Sequence, residues 1–87
     1  MSTTWREEIT EAFDTTGDYW SDVEAHTFIN GEMDRVFDDG YGSAEGVPFT
    51  LWTTDRVYFP VVYDGAEWVG WTFRNPCSHA TDHFGGQ

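Results

Sequence analysis

The 87 residues carry sixteen Asp and Glu against four Arg and no Lys, a formal charge of −12. That balance excludes the Lys/Arg clusters needed for direct binding to nucleic acid or an anionic membrane, and its field attracts basic surfaces instead. Five Trp, four Tyr and seven Phe exclude a disordered acidic chain, and a single Cys, Cys77, excludes an intrachain disulfide.

The first residues, Met1 to Glu8, contain neither a basic nor an apolar stretch, so no secretory signal is expected. No apolar run approaches the ~20 residues that span a bilayer, and a cytoplasmic location is expected. Thr4-Trp5-Arg6-Glu7 has the S/T-x-x-E form of a capping box. Behind it Trp5, Ile9, Ala12 and Phe13 recur at helical spacing, and Gly17 suits the C′ position that ends a helix. Ser21-Asp22-Val23-Glu24 could open another helix, whereas Val23, Ala25, Thr27 and Ile29 alternate as a strand does. A short strand or extended segment across 23–29 is the reading adopted. Asn30 then serves as the N-cap of a helix over 31–39, with Met33, Val36 and Phe37 inward and Gly40 as its stop. Residues 40–46 read as a loop.

The C-terminal half is different in kind. Phe49–Thr53, Val57–Tyr63 and Glu67–Phe73 are β-branched and aromatic runs of strand length. Thr53-Thr54-Asp55-Arg56 is a turn between the first two. Asp64-Gly65 between the last two is a strong hairpin signal. Pro60 cannot donate to a ladder, so it predicts a bulge or an edge. The expected architecture is α+β: two short helices packed on a three- to four-stranded antiparallel sheet with a C-terminal β-hairpin. One domain over 1–87 comprises an acidic, mainly helical half (1–46), an antiparallel β half (47–74) and an irregular tail (75–87).

The acids are unevenly placed: residues 1–46 hold twelve of them with two Arg, and residues 47–87 hold four with two Arg. Glu7, Glu11, Asp14, Asp18 and Asp22 follow one another at spacings of three and four, which puts neighbours on one helical face. Gly17 interrupts that path, so Glu7, Glu8, Glu11 and Asp14 form its helical part. Glu32, Asp34, Asp38 and Asp39 decorate the second expected helix. Charge runs are usually solvated faces. Here, like-charge pairs at i,i+4 cost stability, and ordinary solubility needs less net charge, with both signs interspersed. A binding role is the sharper reading.

Other constellations are weaker. Cys77, His79 and His83 could ligate zinc with Asp82 or His26, but the paired Cys spacing of zinc sites is absent, and no metal or other cofactor is expected. No nucleophile motif, phosphate-cradling loop or HExxH is present, so catalysis is not expected. Trp52, Tyr58, Trp68, Trp71 and Phe73 place rings on both faces of the sheet, one of which could bind a partner. A generic interaction module using that face, or halophilic acidity, would also account for the composition.

In length, charge, carboxylate rows at 7–24 and 32–39, and aromatic hairpin at 57–73, the chain resembles small acidic inhibitors encoded by phages and mobile elements: DNA-mimic anti-CRISPRs, uracil-glycosylase inhibitors and restriction inhibitors. The resemblance implies a stoichiometric blocker seated on the Lys/Arg-rich channel of a nucleic-acid-binding host protein, with a Cas complex as the first candidate. Glu7, Glu8, Glu11, Asp14, Glu32, Asp34, Asp38 and Asp39 would stand in for phosphates.

Overall fold

In a computed structural model, which describes residues 2–38, 46–63, 66–75 and 80 (Asp38 and Tyr63 by backbone alone), the first expected helix forms as α1, Trp5–Thr16. Thr4 is its N-cap in extended conformation, its hydroxyl accepting from the Glu7 N–H at 3.2 Å. Gly17 ends it at φ +88°, donating to the Phe13 carbonyl at 2.8 Å. The apolar stripe buries Trp5, Ile9 and Phe13, each worth about 1.5–3 kcal/mol in area removed from water.

Two strands flank that helix in the fold: β1 (Ser2–Thr3) pairs antiparallel with β3 (Phe37–Asp38). The main sheet is four-stranded and antiparallel, in the order β2 (Val23–His26), β4 (Leu51–Thr53), β5 (Arg56–Tyr63), β6 (Ala66–Phe73). The α+β class is therefore as expected, and β2 falls inside the segment expected to be extended. The first half is less helical than its acidity suggested, because β1, β2 and β3 all lie in it. No helix among the described residues is long and apolar enough to cross a membrane.

β5 and β6 pair from Arg56↔Phe73 to Tyr63↔Ala66 without a bulge. Asp64-Gly65 lies outside the described residues, but the pair on either side of it leaves a two-residue connection. The Arg74 N–H donates to the Asp55 carbonyl, so by the alternation of an antiparallel ladder Pro60 sits at a non-hydrogen-bonded pair with β6. Its nitrogen faces the β4 side, where pairing stops at Leu51↔Tyr58. Pro60 thus occupies an edge and not a bulge.

The core is aromatic. Trp5 is fully buried, with its ring 4.7 Å from Phe37 and 4.8 Å from Phe49. Phe13 meets Trp20 and Tyr58 edge-on at 5.0 and 5.1 Å, in the geometry that ring quadrupoles favour.

The expected helix over 31–39 does not form. Asn30 and Gly31 take φ of +47° and +79°, and the Glu32 N–H donates to the Ile29 carbonyl at 2.9 Å. Asn30 is thus a turn residue and no N-cap, since Asn-Gly is the dipeptide that best tolerates two consecutive positive φ values. A 3₁₀ turn, Glu32–Asp34, follows, and the chain then extends into β3. Met33 and Phe37 are buried as expected, but Val36 is 65% exposed because the spacing is no longer helical. Nothing lies within 4 Å of a Cβ added at Gly31, so Gly31→Ala reports backbone strain alone. It is expected to lower stability by about 1–2 kcal/mol, against a few tenths for Asn30→Gly, read as the shift in urea midpoint.

Candidate partner-binding surface

Directly opposite the buried stripe of α1, Glu7, Glu11 and Asp14 are exposed along one ridge. Their spacing of four and three places them on one face. One flank of the helix is covered. Arg6 pairs with Asp34 at 2.6 Å and lies 5.4 Å from the centre of the Trp20 ring, whose indole N–H donates to the Thr10 hydroxyl. The hydrogen bond from Arg6 holds the Asp34 carboxyl below its usual range and raises the Arg6 value. On the other flank, Glu8 is half-buried and accepts from the Thr3 hydroxyl at 2.9 Å. There a groove of about 190 Å³ opens between α1 and β6, lined by Glu8, Glu11, Ala12, Thr15, Trp68 and Val69.

The remaining acids do not continue the ridge. Gly17 turns the chain inward, and the Asp18 side chain is only 8% exposed. It accepts from Arg56 at 2.8 Å, from the Thr53 hydroxyl at 2.9 Å and from the Tyr58 hydroxyl at 2.6 Å. Asp22 accepts from the Tyr19 N–H at 2.9 Å, tying down the 3₁₀ turn Trp20–Asp22. Glu32 reaches back to the Ile29 N–H at 3.1 Å, across the Asn30-Gly31 turn. Asp34 is spent on Arg6. With no helix over 31–39, Glu32, Asp34 and Asp38 lose the common face expected of them. The Asp38 side chain and Asp39 lie outside what is described.

Arginine is used inside this fold in one recurring way. Arg56 donates to Asp18 while its guanidinium lies 5.2 Å from the Trp71 ring and 5.1 Å from the Phe73 ring. Arg6 combines Asp34 with Trp20. Arg74 pairs with Glu24 at 2.6 Å and also donates to the Thr53 carbonyl. Three Arg therefore neutralise three acids that the sequence alone would place on the surface. The Arg56–Trp71–Phe73 stack was readable from the hairpin. A two-residue turn at Asp64-Gly65 fixes the register that sets Arg56 opposite Phe73 and one same-face step from Trp71.

The sheet aromatics separate accordingly. Tyr58 is fully buried, Trp71 is engaged by Arg56, and Trp68 is 38% exposed at the groove. Cys77, His79, Asp82 and His83 lie outside the described residues. Among those described, no three His, Cys, Asp or Glu side chains come together to hold a metal, and His26 lies beside Phe28 at 5.8 Å. No protein-family model, curated protein or solved structure matches the chain, so the site rests on its own geometry.

Removing the Asp18 carboxylate strands one guanidinium and two hydroxyls. Asp18→Ala is expected to cost about 3–5 kcal/mol, the range for breaking a buried ion pair, in a denaturant titration. Burial, reinforced by donation to Asp18, raises the Tyr58 hydroxyl above its ordinary value. The unfolded chain then loses its Tyr proton first. The stabilisation is complete below about pH 10, the usual tyrosine pKa, and declines above it by up to about 1.4 kcal/mol per pH unit. Melting temperature should fall more steeply above pH 10 in the wild type than in Tyr58→Phe.

Proposed function

We propose that this chain is an acidic, non-catalytic inhibitor that occupies the basic nucleic-acid-binding surface of another protein, with a CRISPR effector complex as the leading case. The observation that carries the reading is the Glu7, Glu11, Asp14 ridge. Three carboxylates project from one rigid helix with no cation between them, while three of the four Arg are committed elsewhere. A solubilising surface would intersperse the two signs. Carboxylates a few ångströms apart approach the charge spacing of a nucleic-acid strand, roughly one per 3.4 Å.

The contact set is narrower than the charge count. Glu7, Glu11 and Asp14 form it, Glu8 stands at its edge, and Asp18, Asp22, Glu32 and Asp34 serve the fold first. Charge reversal on the ridge should therefore abolish binding without unfolding the domain. A test column carries the immobilised protein, loaded with host extract at low ionic strength and eluted with salt. A nucleic-acid-binding protein should be retained, released by salt, competed off by DNA, and lost from a Glu11→Lys/Asp14→Lys column. Retention that ignores salt, DNA and the double substitution would overturn the proposal.

A further inference from the structure

The geometry points to the groove between α1 and β6 as a slot for an arginine side chain of the basic partner, an assignment that rests on the ridge being the binding face. Glu8 and Glu11 supply carboxylates on the helix side, Trp68 supplies a partly exposed indole on the strand side, and Ala12 leaves the space between them open. No Arg or Lys is among the lining residues.

The fold itself shows what such a pairing holds. Arg56 sits between Asp18 and the Trp71 and Phe73 rings, and Arg6 sits between Asp34 and the Trp20 ring. Each combines a carboxylate with an aromatic face around one guanidinium. The groove presents the same two components. Arginine is the fitting occupant because its planar guanidinium can stack on indole while donating in-plane to a carboxylate. A lysine ammonium is a compact, strongly hydrated point charge that gains less from such an arrangement. Glu8, already held by Thr3, keeps its charge in place without having to be ordered on binding. Trp68 would then be the anchor of the interface and the ridge its electrostatic guide, the division of labour usual between a central aromatic and surrounding charges.

The test uses the whole protein labelled with ¹⁵N, whose five Trp give separate indole N–H signals, that of Trp68 being assigned from Trp68→Phe. A short peptide of alternating glycine and arginine is titrated at low ionic strength, beside its lysine counterpart. The arginine peptide should shift the Trp68 indole signal, bind more tightly than the lysine peptide, and weaken by about tenfold or more in Trp68→Leu. Glu11→Gln should weaken it as well. Binding of both peptides with equal affinity, or arginine binding that Trp68→Leu leaves unchanged, would overturn the slot while leaving the acidic ridge intact. Failure of either peptide to bind the wild type would overturn both.

Discussion

The architecture hangs on the burial of Trp5. It is the first residue of α1 and has no exposed surface. Its ring packs on Phe37 of β3 and on Phe49, and its indole N–H donates to the Val47 carbonyl at 3.0 Å. Gly46 passes so close that a Cβ there would lie 2.5 Å from the ring. One side chain thereby joins the helix start, the two-stranded ribbon and the segment that leads into the sheet. A chain with a single Leu needs such a residue. Large rings supply the buried area that aliphatic side chains provide elsewhere, and the buried N–H must find an acceptor.

The Asp18 cluster is the polar counterpart at the other end of the helix. It joins the residue after the Gly17 cap to β4 and β5 through Thr53, Arg56 and Tyr58, and the Thr16 hydroxyl lies 2.8 Å from that of Tyr58. Glu67 does a comparable job near Trp5. It is buried, with both carboxylate oxygens within 3.2 Å of the Gly46 N–H. Acids inside this fold thus act as acceptors for backbone and cationic donors. Their charges should not be counted toward the surface field at full weight, because a paired charge has a partner beside it.

This division changes what the acidity means. Taken as a sum, −12 suggests a uniformly polyanionic surface. Taken residue by residue, it separates into acids that organise turns, acids that neutralise Arg, and an unshielded ridge on α1. Only that last group faces outward without an opposing charge. A ridge of this kind steers a basic partner from a distance, and the screening length of about 8 Å at physiological ionic strength limits how far it reaches. Close contact then depends on the adjoining groove, where an aromatic face meets the carboxylates.

Much of this was legible in the sequence, for local reasons. Thr4 and Gly17 bracket α1 because cap chemistry acts within a few residues. The alternating runs from Leu51 onward make strands because their side chains suit a pleated, half-buried surface. The two-residue Asp64-Gly65 connection determines the register that brings Arg56 to Trp71 and Phe73. Asn30-Gly31 was legible too, as a turn, but the inward spacing of Met33 and Phe37 is shared by a helix and by an extended chain that enters a core. The tertiary structure alone decided between them, since β1 offered Phe37 a pairing partner and Trp5 offered it a ring. It also decided which carboxylates are surface. Whether Asp18 faces water or Arg56 depends on a contact 38 residues away in the chain, and no local pattern encodes a partner at that separation.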